Sequence, residues 1–203
     1  QFKGDKKTIS GTSVDPTNTA RSFTFTGAQI DVQGTSSAGY ERKNYKIKFK
    51  EGFVMTVSGA TVNGYKIREN SIATNVFTFK ADVASSEGCN NVELVRLYND
   101  TCPYKTDAQK ANSSVRQGID GFPIVIFWDN GSDTTFLGKY NFNNDKGTPE
   151  VFGFVEPDES WEVRNNTSDR VLFKSDDFSG DGWKNDFEAR YPEDYTDASQ
   201  LQE

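Results

Sequence analysis

Ser36 and Ser37 lie in the run Gly34-Thr35-Ser36-Ser37-Ala38-Gly39, which leads into Arg42, Lys43, Lys46, Lys48 and Lys50. A glycine- and hydroxyl-rich loop feeding a basic strand can hold an anion, because backbone N–H and ammonium groups converge there. The same residues suit a hairpin turn followed by an edge strand whose lysines oppose aggregation. A second group, Asp176-Asp177-Phe178-Ser179-Gly180-Asp181-Gly182, offers carboxylates in a glycine-containing loop, the donor type that calcium takes. Its spacing is not that of an EF-hand, and a solvated acidic turn uses the same residues. Lys80 and Asp82 would share one face of a strand, as a ligand contact or as a surface ion pair.

Histidine is absent. That removes Ser–His–Asp hydrolases, Cys–His proteases and His-ligated zinc enzymes together. Two cysteines, Cys89 and Cys102, fit no metal pattern and are read as reduced thiols, with one disulfide across Val92–Tyr98 as the alternative. The 203 residues carry a net charge of -7, which disfavours a nucleic-acid partner. No apolar run approaches the roughly 18 residues a membrane helix needs, and Gln1–Lys7 carries no apolar signal-peptide core. The aromatic content, 13%, supplies bulky core material, and Phe and Tyr dominate it.

The elements that must position these groups are mainly strands. Alternation or apolar runs mark strands at Ser22–Gln33, Tyr45–Lys50, Val54–Val57, Lys66–Arg68 and Val76–Lys80. Tyr45, Ile47 and Phe49 fall on the buried face of theirs by the period of two. A short helix suits Val92–Tyr98, with Lys105–Gln117 extending or following it. Pro123–Trp128 is the most apolar run and reads as a central strand covered on both faces. Asp129-Asn130-Gly131-Ser132-Asp133 is a turn, and Thr134–Phe142 returns as the antiparallel partner. Glu150–Glu156, Ser160–Asn165 and Val171–Lys174 are read as further strands, with helical patterns beginning at Trp183 and at Tyr195. Residues 1–20 are read as a polar, extended arm, and 21–203 as a single domain. The predicted class is α+β, a twisted, mainly antiparallel sheet with a few short helices.

The loop and strand resemble the signature of the spore-coat CotH family, an atypical protein-kinase-like group. The matching residues are Gly34-Thr35-Ser36-Ser37, Gly39 and Arg42-Lys43-Asn44-Tyr45-Lys46-Ile47-Lys48-Phe49. Phe77–Gly88 with Asn90–Leu94, and Phe136–Lys146, are similar to divergent members found among phage and prophage structural genes. The resemblance spans about residues 21 to 195 and implies the N-terminal part of a kinase-like domain. The family's domain continues into a helical portion carrying a Trp-Asp-Leu-Asp-like acidic motif, which has no counterpart here.

Two functions follow from the resemblance. One is a structural or adhesion module of a phage virion, in the tail, baseplate or fibre. It would use no cofactor and would assemble with itself or other virion proteins, with a cell-surface receptor as a further partner. The other is an ATP- and Mg-dependent protein kinase of the CotH type, at a bacterial cell surface or spore coat. A kinase needs phosphate cations and metal carboxylates. The nucleotide-binding candidates are then Ser36, Ser37, Lys43, Lys46, Lys48 and Lys80, and the metal candidates Asp82, Asp145, Asp176, Asp177 and Asp181. The reading leans away from catalysis by this chain alone.

Overall fold

A computed structural model of the chain describes residues 5–34, 36–49, 54–84, 90–102, 104–153, 162–165 and 187–191. The fold is α+β and its sheet is twisted and antiparallel. Gln1–Gly153 forms one compact unit and Phe154–Glu203 a second.

The first unit holds an eight-stranded sheet. Its strands are β1 (Lys7–Ser13), β2 (Phe23–Gln33), β3 (Asn44–Lys48), β4 (Val54–Val57), β5 (Ala60–Val62), β6 (Val76–Lys80), β7 (Gly121–Asp129) and β8 (Thr134–Asn144). β2 is the hub. Phe23 pairs with Ser13 of β1 and with Val57 of β4, while Ile30 pairs with Lys7 of β1 and Ile47 of β3. One edge of β2 therefore carries β1, and the other carries β3 and β4 in line. β6 continues from β3, β8 from β6, and β7 ends the sheet.

The sheet curls into a half-barrel. Gly27, at φ 79, interrupts β2 between its β4 and β3 pairings, opposite the register shift between Ile9 and Gly11 of β1. A left-handed glycine at a bulge bends a strand and increases its twist. The curl encloses an aromatic core of Phe23, Phe49, Tyr65, Phe77 and Phe142, with Ile47 and Met55 among them. Phe77 and Phe142 stack with ring centroids 4.7 Å apart. The alternation read in β3 holds: Ile47 and Phe49 are buried and Tyr45 is half-buried.

Several expectations need correction. Pro123–Trp128 lies in β7, the end strand, and Val125 and Phe127 are exposed on its outer face. Pro123 explains this: it has no N–H to give a second neighbour, so it belongs on an edge. The polar stretch read as an arm supplies β1, stitched to β2 by backbone bonds that need no apolar side chains. Lys66–Arg68 is not a strand; Tyr65 forms a bridge to Thr74 beside it. Pro149–Phe152 is a 3-10 turn ended by Gly153 at φ 83, so 150–153 do not form the expected strand, and 154–156 lie outside the described residues.

The helical segments are short. Asn90–Leu94 is a π-helical turn running into α1 (Val95–Thr101). α2 (Asp107–Ala111) occupies only part of Lys105–Gln117, opened by a capping box between Thr106 and Gln109. The second unit contains β9 (Glu162–Asn165) paired with β10 (Phe187–Tyr191), so the run from Trp183 does not continue as a helix. Val171–Lys174 and the run from Tyr195 lie outside the described residues. Cys102 is a free thiol.

Candidate functional site

Strand register builds a polar face on the side of the sheet away from the aromatic core. Asp31, Lys46, Thr78, Asn143 and Gly121 form one cross-strand row, and Lys80 pairs with Asn141 beside it. The side-chain period of two sends Phe77, Phe79 and Phe142 inward and these polar neighbours outward. Thr78, Asn141 and Asn143 are nonetheless buried.

The polar face converges on Asp145, at the end of β8. Lys46 Nζ lies 3.0 Å from Asp145 Oδ1, and the backbone N–H of Gly147 donates to the same oxygen at 2.8 Å. Gln33 bridges the cluster: its Nε2 donates to Asp145 Oδ2 at 3.4 Å and its Oε1 accepts from Lys80 Nζ. Burial holds the Lys80 ammonium below the ordinary lysine pKa, against the pull of Asp145 and Asp82. Asp82 accepts from Asn141 Nδ2 and has φ 48, a strained value for a residue other than glycine. Among the described residues, neither amide atom of the buried Asn143 has a hydrogen-bond partner.

Lys46, Lys80 and Asp145 are linked through the ion pair and Gln33, and Asp82 acts on the Lys80 ammonium from the next turn of chain. They offer carboxylate oxygens and ammonium groups side by side, but among the described residues no cluster of three or more metal-ligating side chains forms. Lys46 and Asp145 already neutralise each other. Lys48 shares the outward face of β3 with Lys46. Ser36 and Ser37 sit in a 3-10 turn, Ser36–Gly39, and Lys43 Nζ donates to Ala38 O at 2.8 Å. Lys43 therefore fastens the loop to its own strand instead of facing an open anion cradle. Asp176, Asp177 and Asp181 lie outside the described residues.

A second feature went unread in the sequence. A cleft of about 1860 Å³ lies against the aromatic core, its lining mixed: Phe23, Ile47 and Phe142 beside Thr12, Asp15 and Arg68. β1 contributes Ile9 and Gly11, and β7 contributes Ile124, Ile126 and Trp128. Gly11 faces the Phe25 ring, and a Cβ there would stand 2.8 Å from it. β1 and β7, two of the three strands at an edge of the sheet among the described residues, border the same cleft. Near its root, Arg68 holds Asp120 with bonds of 2.6 and 2.8 Å, and Arg116 stands 3.6 Å from the same carboxylate. Arg21 lies 5.7 Å from the Tyr65 ring and 5.9 Å from the Phe122 ring. The signal available beforehand was Pro123, which marks β7 as an edge, and the alternation of Ile124, Ile126 and Trp128 along it.

Comparison with protein-family models, curated proteins and solved structures finds no match.

Proposed function

We propose that the chain is a structural or adhesion module of a phage virion, in the tail, baseplate or fibre, built on a CotH-like scaffold. The observation that supports it is the half-barrel in which β1 and β7, two strands with an unpaired edge among the described residues, border one cleft partly lined by apolar side chains. Unpaired strand edges beside apolar surface favour docking of protein segments, because backbone bonds and side-chain burial are gained together. Neighbouring virion proteins are the partners in this reading, with a cell-surface receptor beyond them. It calls on no cofactor, nucleic acid or membrane insertion.

The test is incorporation. Purified particles should contain the chain by mass spectrometry. Ile126→Asp and Trp128→Ser should fold, yet be lost from particles; Lys80→Met should be retained. A chain missing from purified particles would overturn the reading, as would an Ile126→Asp protein incorporated like the wild type.

The convergence of Lys46, Lys80, Asp82 and Asp145 favours a second reading, the ATP- and Mg-dependent kinase of the CotH type. Calorimetry with ATP and magnesium decides it. Heat of binding lost in Lys80→Met would support it, and a flat wild-type titration would remove it.

A further inference from the structure

Lys80 and Asn141 are cross-strand partners on the polar face, one in β6 and the other in β8. Side chains directly opposite each other in an antiparallel pair share a face, with Cβ atoms about 5 Å apart. Asn141 is fully buried, and its Nδ2 donates to Asp82. Asp82 stands two residues beyond Lys80 and acts on its charge. An amine, a carboxamide and a carboxylate are thus held together inside the sheet, joined from two strands that are distant in sequence.

The surroundings prepare these groups to react with one another. Burial holds Lys80 below the ordinary lysine pKa, which raises the share of neutral, nucleophilic amine. Lys46, by contrast, keeps its ammonium in an ion pair with Asp145 at 3.0 Å. The chain between Lys80 and Asp82 is fixed by the Ala81 N–H, which donates to Asn44 Oδ1 at 2.8 Å. With Asp82 at φ 48, the backbone turns its carboxylate back onto the Asn141 amide. Strain of this kind persists where the surrounding structure fixes a geometry, as at reactive sites.

We propose that Lys80 Nζ and Asn141 Cγ join in an intramolecular isopeptide bond, with Asp82 carrying the proton. The neutral amine leaves Gln33 Oε1, its present partner, and its lone pair attacks Cγ. A C–N bond forms, and the amine proton passes to Asp82. Asp82 delivers it to Nδ2, to which it is already hydrogen-bonded. The carbonyl re-forms, the Cγ–Nδ2 bond breaks, and ammonia leaves. The carboxylate is restored and no other reactant is consumed. Amide aminolysis is slow between free molecules, but partners held in register gain the effective concentration of an intramolecular reaction. The bond ties β6 to β8 and restricts the unfolded chain as a disulfide does. This inference is independent of the virion reading, and it competes with the kinase reading for the Lys80 amine. Only unreacted chain keeps Lys80 as a titrating group.

The experiment is mass spectrometry of the full chain after it has been held folded at neutral pH. The wild type should fall short of its sequence mass by one ammonia, about 17 Da. Trypsin should then give a branched peptide joining residues 69–96 to 140–146, with no cut after Lys80. The branched peptide is the decisive reading, because Asn-Gly steps such as Asn63–Gly64 also lose ammonia. Lys80→Met and Asn141→Ala should give no branched peptide. Asp82→Asn should slow its formation at least about tenfold, with the near-UV circular dichroism of the wild type. Wild type kept unfolded in urea should form none, because the two strands are then apart. A folded wild type that trypsin cuts after Lys80, with no branched peptide, overturns the proposal. So does a link that forms as fast in folded Asp82→Asn as in the wild type, or one that joins other residues.

Discussion

Lys46 and Asp145 are 99 residues apart in sequence and form an ion pair at 3.0 Å. Their exposures differ: the Lys46 side chain is 30% exposed and that of Asp145 only 3%. Lys46→Met leaves a buried carboxylate without its cation and should cost about 3 kcal/mol. Asp145→Asn keeps the amide's hydrogen-bonding capacity and lets Lys46 turn to water, so it should cost less, about 1 kcal/mol. Urea unfolding of both variants checks the order; equal costs would contradict the burial asymmetry.

Lys80 gives the cluster a pH signature. Its folded pKa is depressed, chiefly by burial, below the ordinary 10.5. Between those two values the unfolded chain binds more protons than the folded one, so stability contributed by this group rises with pH. Lys80→Met removes that dependence. The stability of the variant relative to wild type should therefore fall as pH climbs through the interval and level off above 10.5. Tyr45, Tyr65 and Tyr140 are pushed upward by burial and act in the opposite sense at high pH, but they are common to both proteins. Denaturation of the pair at stepped alkaline pH gives the sign; a relative stability that rises would refute it.

Ile47 is 1% exposed and sits between Ile30 and Phe77 in the ladder. Ile47→Ala should cost about 3 kcal/mol through lost burial and the cavity left behind. Ile47→Asp should cost more, because it adds an unpaired charge to an aromatic core. Thermal melts of the two variants measure this, and an unchanged midpoint for either would refute the packing.

Gly121 opens β7 directly against β8. A Cβ at this position would collide with the Asn143 side chain and with the backbone carbonyl of Phe142. The carbonyl cannot move without breaking the ladder, so Gly121→Ala should destabilise by about 2 kcal/mol. Asn143→Ala in the same chain should recover only part of this, since the backbone contact remains. A double-mutant cycle reads the difference.

What the sequence revealed depended on whether side chains or backbone decide the element. β3 was legible because Tyr45, Ile47 and Phe49 alternate with Asn44, Lys46 and Lys48. β8 carries the same pattern in Tyr140-Asn141-Phe142-Asn143, which sets its aromatic and amide faces. The approach of Lys46 and Lys80 to Asp145 depends on which strands become neighbours, and Asp82 and Asp145 lie beyond the strand ends, where no period places them. β1 was hidden because its stability lies in backbone bonds to β2, which polar residues form as well as apolar ones. In β7 the apolar run suggests a central strand, whereas Pro123, which lacks an N–H, dictates an edge. The bridging role of Gln33 depends on a long-range register that no local pattern carries.

The position of β8 also shapes how the chain reaches this state. β1–β2, β2–β3, β4–β5 and β7–β8 join strands that are neighbours along the chain. β6–β8 is different: it joins Val76–Lys80 to Asn141–Asn144 across the helical segments and β7. Loop-closure entropy makes such a distant pairing slow relative to the local hairpins. β6–β8 spans a longer stretch of chain than β2–β4 or β3–β6, so the meeting of Phe77 and Phe142 is expected to limit the folding rate. Changes at that stack act on the folding limb of a chevron, while changes in β1 act on the unfolding limb.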